Sequence, residues 1–432
     1  MIIKNGYVVF DEEVVRTDIK IDGERIAGLG RFEAPPEETI EASGMYVFPG
    51  LIDAHVHFRE PGLTHKEDFL TGTRAALSGG VTTILDMPNT KPPTTTARLM
   101  REKRMEAKGK ALCDFGLHMG ATNSNFEEVK NADPLSLKIF MGSTTGDLLV
   151  SDYITFTRHF ALFKANRPIC VHAEDEKMLE KFREKKARYW NAVRPPVCEH
   201  FAIGRALRAA ENAMKRVHVC HITTPESVEM VASAKNRGVR ATCEVTPHHL
   251  LLNECDEEKL GGLGRVNPPL RSRSEQAKLW GMMHKIDLIA SDHAPHTLDE
   301  KESDEPPSGM PGVETLFPLM LDSMGKGRIT PSRLMVMTAK NPARIFGIPM
   351  KGEIRPHYYA DLVLVDMNER YTIKSESLFT KCGWSPFEGR QVRGRIKKVF
   401  LRGELVFDGE QVIAKPGVGK TVEELWARED EE

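Results

Sequence analysis

The sequence predicts an α/β protein: a (β/α)8 TIM barrel with a small composite β-sandwich domain formed by the N- and C-terminal segments. Eight apolar, strand-like runs alternate with helical patterns through the middle of the chain, which is the order of elements that such a barrel requires. Short runs separated by turn residues occupy both ends. The length of 432 residues leaves room for the second domain, because a bare barrel needs roughly 250.

The two ends of the chain are predicted to be rich in strands. Within residues 1–46, the expected N-terminal part of the sandwich, strand-like runs lie beside the turn signal Asn5-Gly6. Residues 349–432 repeat this pattern around the turn Arg402-Gly403, so we expect them to complete the sandwich. The acidic tail that begins at Thr421 is predicted to form a frayed helix.

The middle of the chain, residues 47–348, is predicted to form a metal-dependent barrel. The eight expected strands lie at residues 47–52, 81–87, 111–119, 135–141, 168–171, 217–222, 240–245 and 287–290. Helical patterns separate most of them, at residues 66–78, 152–166, 200–214, 225–236 and 274–284.

The composition and hydropathy of the chain argue against nucleic-acid binding and membrane association. The 60 basic and 62 acidic residues nearly cancel, and no Lys/Arg block suggests a nucleic-acid groove, so we expect a small-molecule partner and no nucleic acid. No apolar run reaches the roughly 18 residues of a membrane span, and the N-terminus lacks the apolar core of a signal peptide. We therefore expect a cytoplasmic protein without membrane association. The seven cysteines form no CxxC pair and indicate reduced thiols.

The segment from Asp53 to Arg59, Asp-Ala-His-Val-His-Phe-Arg, follows the first predicted barrel strand. Alternate residues of a strand point the same way, so His55 and His57 present two imidazoles to one place at the mouth of the barrel. This arrangement is typical of a metal site, although a hydrogen-bonded surface cluster would give the same pattern.

Further polar residues end the other barrel strands. His172 ends the fifth strand, His221 the sixth and Asp292 the eighth. Active sites in this fold lie at the C-terminal ends of the strands, so we expect these side chains to converge with His55 and His57. One such histidine alone is more often structural, but four with an aspartate favour a metal centre that could hold two ions.

Lys138 lies inside the apolar fourth strand, where a buried ammonium is costly unless it is paired or neutralised. Lys138 could form a buried ion pair, or its aliphatic chain could extend so that the ammonium reaches solvent. Alternatively, its neutral amine could react with carbon dioxide, and the carbamate oxygens would then bridge two metal ions. Spacing alone leaves these alternatives open.

Several blocks in the same order carry a family resemblance. They are residues 53–62, 79–83, 87–90, the strand with Lys138, and residues 171–174, 246–249 and 291–296. Together they resemble the dihydroorotases of the amidohydrolase superfamily, over nearly the whole chain. The resemblance implies reversible hydrolysis of the cyclic amide of dihydroorotate to carbamoyl aspartate, a step of pyrimidine biosynthesis.

The resemblance also implies a ligand set with two Zn²⁺ ions per chain. His55 and His57 would bind one ion together with Asp292, and His172 and His221 the other, with N6-carboxylated Lys138 bridging both. From the placement of charge, we expect Asp292 to act as the catalytic residue that carries the proton. His248 and His249 receive no clear role and are taken as supporting residues.

Substrate recognition rests on fewer residues. Arg59 offers a guanidinium fork that suits a substrate carboxylate, unless it pairs with Glu60 or Asp68. The resemblance implies that Arg59 shares the carboxylate with Asn89 and His296. It further implies contacts from Asn267 and from the backbone of Ser308 and Gly309. Thr144 and Thr145 follow the fourth strand and would contact substrate from a mobile lid, or belong to an ordinary turn.

Two kinds of alternative function remain open at this stage. An allantoinase or a dihydropyrimidinase would use the same barrel on a neutral ring, but the allantoinases usually lack the arginine at this position and the Met-Pro-Asn-Thr block. A non-catalytic scaffold of the same superfamily would lack several of the metal ligands that this chain retains. The resemblance leaves open a homo-oligomer and an association with aspartate transcarbamoylase.

Overall fold

The computed structural model describes residues 1–33, 35–132, 134–164, 166–183 and 189–429. Its strands form two sheets: a barrel from the middle of the chain, and a sheet from the two ends. The strands are β1 (Ile2–Val9), β2 (Val14–Asp22), β3 (Arg25–Gly30), β4 (Thr39–Glu41), β5 (Tyr46–Pro49), β6 (Leu51–Val56), β7 (Val81–Asp86), β8 (Asp114–Gly120), β9 (Ser136–Phe140), β10 (Ile169–His172), β11 (Val217–Val219), β12 (Ala241–Val245), β13 (Leu288–Ile289), β14 (Leu362–Thr372), β15 (Gln391–Leu401) and β16 (Glu404–Phe407).

Helices lie between the barrel strands, and one more ends the described chain. They are α1 (Phe69–Ser78), α2 (Ala97–Lys108), α3 (Phe126–Asn131), α4 (Tyr153–Leu162), α5 (Glu176–Arg183), α6 (Trp190–Val193), α7 (Pro196–Ala213), α8 (Pro225–Asn236), α9 (Pro247–Leu251), α10 (Glu254–Leu260), α11 (Arg273–Gly281), α12 (Leu298–Lys301), α13 (Leu316–Gly325), α14 (Pro331–Met335), α15 (Asn341–Phe346) and α16 (Val422–Glu429). No helix of the described ranges is long and apolar enough to cross a membrane.

The barrel consists of eight parallel strands, β6 to β13, that neighbour one another in chain order. The first and last strands approach through a bridge between Val56 and His293, where the His57 amide donates to the His293 carbonyl at 2.8 Å. The sheet is therefore nearly closed, and the predicted (β/α)8 barrel is confirmed. The barrel strands are buried almost throughout because helices cover their outer face.

Local sequence sets where the outer helices begin. Asp68 caps α1 by accepting from the Thr71 amide at 2.8 Å, and Thr224 caps α8 immediately before a proline at the first helical position. Ser272 and Glu275 form a reciprocal capping box at the start of α11. These caps fix the residues at which the helices begin.

The two ends of the chain join in one eight-stranded sheet with the order β16-β15-β14-β5-β1-β2-β3, and β4 pairs with β1. Buried side chains of these strands form a core of their own. The apolar run at residues 47–52, predicted as the first barrel strand, divides at Gly50: β5 pairs with β1 and β14, whereas β6 enters the barrel. The terminal sheet therefore extends to Pro49, past the predicted boundary at residue 46.

A buried charge cluster joins the barrel to the terminal sheet. Asp114, at the start of β8, contacts the guanidinium of Arg402 and lies 2.7 Å from Lys351 Nζ, which also contacts Asp361. Burial acts to raise the pKa of Asp114, but the two cations hold it below its usual value. The cluster fixes the orientation of the terminal sheet at the N-terminal end of the barrel strands.

The C-terminal helix closes the floor of the barrel. Val422 and Leu425 of α16 are buried in a cluster with Ile52 of β6 and with Leu135, which precedes β9. The prediction of a frayed tail is wrong for this part of the helix, because these two apolar residues pack against the barrel. Residues 430–432 of the predicted tail lie outside the described residues.

Candidate metal centre

Polar side chains converge around a cavity at the C-terminal end of the barrel. The lining comes from several strand ends and the loops beyond them: His55, His57, Arg59, Asn89, Phe140, Thr144, Thr145, His172, His221, Val266, Asn267, Asp292, Ala294, Ser308 and Gly309. The structure thus brings most of the predicted site residues together.

His55, His57 and Asp292 form a group that could hold a metal ion. His57 Nε2 lies 3.1 Å from Asp292 Oδ1, and His55 Nε2 lies 3.3 Å from the same oxygen. The other ring nitrogen of each histidine faces an acceptor: His57 Nδ1 lies 2.6 Å from Asn89 Oδ1, and His55 Nδ1 lies 2.5 Å from Glu244 Oε1. These partners assign the protons to Nδ1, so two imidazole lone pairs and a carboxylate converge with no hydrogen between them.

Such a convergence of electron pairs is unfavourable unless a cation lies among them, and His and Asp are ordinary ligands of Zn²⁺. A second pair repeats the pattern nearby. His172 Nε2 lies 3.0 Å from Glu174 Oε2, which leaves its Nδ1 directed at His221 Nε2 at 2.9 Å. The donor set fits a metal ion at His55, His57 and Asp292, and His172 and His221 place two further ring nitrogens nearby.

Lys138 is fully buried beneath this site. Its Nζ lies 3.0 Å from Cys220 Sγ, and it makes no ion pair with any described carboxylate. The two structural alternatives, a buried ion pair and a stem that carries the charge outward, therefore do not describe this lysine. Burial acts to lower the pKa of Lys138, but Cys220, Cys170 and Glu244 around it raise the pKa above its usual value.

Arg59 is buried and lines the cavity beside His57. Its Nε donates to the Pro295 carbonyl at 3.0 Å, and its Nη2 lies 3.2 Å from His296 Nε2. No carboxylate in the described part of the chain forms an ion pair with it. The alternative partners are engaged elsewhere, since Glu60 pairs with Lys110 and Asp68 with Lys381.

Three site residues adopt left-handed backbone conformations that side chains usually avoid. The φ angles are 64° at Arg59, 37° at His221 and 46° at Asp292. Each conformation is unfavourable by about 1 kcal/mol or more, and such residues concentrate at functional sites. Each of these turns lies where a chain segment leaves the barrel.

The loop after β9 and the loop before α13 meet across the cavity. Thr145 donates from its hydroxyl to the Ser308 carbonyl at 3.0 Å, and its own carbonyl accepts from Asn89 Nδ2 at 3.0 Å. Asn267 Nδ2 lies 3.4 Å from Thr144 Oγ1. The loop with the two threonines is therefore tied to the opposite wall, which is more than an ordinary turn requires.

Two predicted substrate contacts have other partners in the structure. Asn89 presents its carbonyl oxygen to His57 and its amide to Thr145. His296 lies behind Arg59 and outside the cavity lining, where Lys66 Nζ is 3.1 Å from its Nδ1. Burial lowers the pKa of His296, and the neighbouring cations lower it further. A neutral His296 is suited to hold Arg59 in place.

Two carboxylates beside the site were not among the predicted residues. Glu244 in β12 contacts His55 Nδ1 and lies 2.9 Å from His218 Nε2, and it accepts from the His221 amide at 3.2 Å. It was detectable by the signal that singled out Lys138, a charge inside an apolar strand. Glu174 follows His172, and Arg194 contacts both of its oxygens.

The two histidines without a predicted role lie next to this site. His249 Nδ1 lies 2.8 Å from Thr246 Oγ1, and its Nε2 lies 3.0 Å from the Pro268 carbonyl. His248 is buried, and its Nε2 has no hydrogen-bond partner among the described residues. His249 thereby supports the backbone beside Asn267, which lines the cavity.

Comparison with known proteins gives a family. Residues 46–406 match the model of the amidohydrolase family. The chain belongs to the amidohydrolase family. A dihydroorotase from Methanosarcina mazei is 39% identical, with 98% of this chain and 97% of the relative covered. A dihydroorotase from Halobacterium salinarum is also 39% identical, over 93% of this chain and 95% of the relative. The resemblance to dihydroorotases is therefore confirmed.

One amidohydrolase relative is far longer than this chain. The multifunctional protein CAD from Squalus acanthias is 36% identical over 94% of this chain, which spans 17% of that protein. Among solved structures, the L-hydantoinase (dihydropyrimidinase) from Arthrobacter aurescens is similar, with a TM-score of 0.93, 29% identity, and coverage of 97% of this chain and 98% of that chain. The backbone is thus shared with enzymes named for a different cyclic amide.

Proposed function

We propose that this amidohydrolase is a dihydroorotase, which opens the cyclic amide of dihydroorotate to carbamoyl aspartate and catalyses the reverse cyclisation. The observation that carries the proposal is Arg59, a buried guanidinium at the cavity without a carboxylate partner. A buried unpaired charge is costly, and a ligand carboxylate would neutralise it. Dihydroorotate carries such a carboxylate on its ring.

The donors favour two zinc ions. His55, His57 and Asp292 would hold one, and His172 and His221 the other. Lys138, carboxylated on its amine, would supply the ligand shared by both. Bound zinc supplies Lewis acidity, which lowers the pKa of a coordinated water and polarises a carbonyl.

The chain's own residues would perform the remaining steps. Asp292 lies at the cavity with its carboxylate toward His55 and His57, and we propose that it accepts a proton from the attacking water and returns it to the leaving amide nitrogen. Arg59 would orient the ring through its carboxylate. The segment with Ser308 and Gly309 would contact the other side of the substrate ring. It would do so through its backbone, because a side chain at Gly309 would meet the Ala294 carbonyl.

The second candidate is a hydantoinase or dihydropyrimidinase, since the solved structures compared above share the fold. Those names denote rings without a carboxylate. Arg59 argues against this candidate, because a neutral ring would leave the guanidinium buried and unpaired. A scaffold without catalysis is disfavoured by the complete donor set.

A substrate panel tests the proposal. Purified protein would be assayed with dihydroorotate, dihydrouracil and allantoin, with the metal content of the same sample measured by mass spectrometry. We expect hydrolysis of dihydroorotate alone and about two zinc ions per chain. Activity on dihydrouracil or allantoin instead would favour a hydantoinase or dihydropyrimidinase. Metal-loaded protein that is inert on all three substrates would favour a non-catalytic scaffold.

We further propose that the protein acts in the cytoplasm, in pyrimidine biosynthesis. An oligomer and an association with aspartate transcarbamoylase stay predictions. Size-exclusion chromatography with light scattering would measure the first, and co-purification with the transcarbamoylase the second.

A further inference from the structure

Arg194 lies between Glu174, which contacts the candidate metal ligand His172, and the loop at residues 142–146, which we call the site loop. Its Nε lies 3.1 Å from Glu174 Oε1 and its Nη2 lies 2.5 Å from Glu174 Oε2, while the same Nη2 donates to the Ser143 carbonyl at 2.8 Å. Arg194 is 5% exposed and Glu174 is fully buried. One guanidinium thus joins a strand-end carboxylate to the backbone of the site loop.

The carboxylate continues this connection to the donor set. Glu174 Oε2 lies 3.0 Å from His172 Nε2, and the opposite nitrogen of that ring faces His221. Because Arg194 contacts both oxygens of Glu174, the carboxylate is held where it accepts from His172 Nε2 and directs Nδ1 toward His221.

The site loop in turn contacts the far wall of the cavity. Thr145 reaches Ser308 and Asn89, as described above, and Thr144 lines the cavity with it. A continuous set of contacts therefore runs from Ser308 through the site loop and Arg194 to Glu174 and His172. A lysine at position 194 could not make these contacts, because its single ammonium lacks the planar guanidinium fork with which Arg194 contacts Glu174 and the Ser143 carbonyl.

We infer that Arg194 is a positioning residue that couples the conformation of the site loop to the orientation of His172. When the loop is seated, Arg194 holds Glu174 in the position that presents His172 Nδ1 to the metal. When the loop is displaced, Arg194 loses the Ser143 carbonyl and Glu174 loses its alignment. This coupling deepens the proposed function and rests on it for the metal ion at His172 and His221.

The test measures the rate of zinc loss and the hydrogen–deuterium exchange of the site loop, and neither measurement needs a substrate. The variants are Arg194→Met, Arg194→Lys and the matched control Arg183→Met. Arg183 also contacts Ser143, through its hydroxyl, but pairs with Glu176 rather than Glu174. For both Arg194 variants, we expect zinc loss to a chelator to be faster by about 10- to 100-fold, as for other residues that orient a ligand. Arg183→Met should leave that rate unchanged.

Two further measurements separate coupling from a general loss of structure. Hydrogen–deuterium exchange of residues 142–146 should quicken in Arg194→Lys. In protein loaded with Co²⁺, the visible absorption bands, which report ligand geometry, should shift in Arg194→Lys and not in Arg183→Met. Arg194→Lys keeps the charge and serves if Arg194→Met does not fold.

A double-mutant cycle decides the point. Thr145→Val removes the contact with Ser308, so it should speed zinc loss in the wild-type background and have little further effect in Arg194→Lys. Equal effects of Thr145→Val in both backgrounds, or a zinc-loss rate in Arg194→Lys equal to that of Arg183→Met, would overturn the coupling. Failure of the proposed function would appear separately, as normal metal behaviour without dihydroorotate hydrolysis.

Discussion

Replacing Arg59 with methionine tests the recognition of a substrate carboxylate, because methionine keeps the length of the apolar stem and removes the charge. Burial lowers the pKa of the Arg59 guanidinium from 12.5 to about 10. That difference corresponds to about 3 kcal/mol against the charged form. A bound carboxylate would recover this free energy, so we expect kcat/KM for dihydroorotate to fall about 100-fold in Arg59→Met.

The same substitution should affect stability in the opposite direction. It removes a buried charge that has no carboxylate partner, so thermal unfolding of Arg59→Met should occur at an unchanged or higher temperature than in the wild type. Arg59→Lys is the control that keeps the charge and loses the fork, and its kcat/KM should lie between the two. The reasoning would be refuted if Arg59→Met kept its rate on dihydroorotate, or if it lost stability together with activity.

Three other substitutions test separate parts of the account. Asp292→Ala should lower kcat by at least about 1000-fold while circular dichroism shows folded protein; a variant with full metal content and near-normal kcat would exclude the proton role. Asp114→Asn should lower the free energy of unfolding by about 3 kcal/mol at pH 7 in urea titrations, because it leaves Lys351 and Arg402 short of a partner. Since the folded pKa of Asp114 is lowered from 3.8, this contribution is complete above about pH 4 and is lost as pH falls through the folded pKa. The gap between wild type and variant should therefore shrink at pH 3, and a constant gap would contradict the assignment. Leu425→Ala should destabilise the protein by about 2–4 kcal/mol without changing KM, measured by the same titrations, whereas a neutral effect would mean that α16 does not close the barrel.

Much of the fold was predictable because burial and chain order leave strong patterns. Each of the eight barrel strands overlaps a predicted apolar run. The error at residues 47–52 has a physical cause, since β5 and β6 are both buried and hydrophobicity does not change at Gly50. Only pairing partners far along the chain separate the two strands. The buried face of α16 was missed because two apolar residues in an acidic tail give little periodicity.

The candidate site was predictable where a residue type and a strand end coincide, as at His55 and His172. Glu244 gave a comparable signal, a charge inside an apolar strand, but its partners His55 and His218 come from other strands. Arg194 gave no local signal, because a single arginine in a loop is ordinary until its partners are known. Its contacts with Glu174 and the Ser143 carbonyl depend on tertiary structure alone.

The terminal sheet has a consequence for synthesis of the chain on the ribosome. β1 and β5 precede the barrel strands in the chain, yet β5 pairs with β14, from which the whole barrel separates it in sequence. Contacts between such distant segments form late in folding. During translation, the edge of β5 that pairs with β14 therefore stays unpaired until the barrel strands have been synthesised. Because α16 follows the whole barrel in sequence, the barrel floor can close only after all eight barrel strands have been synthesised.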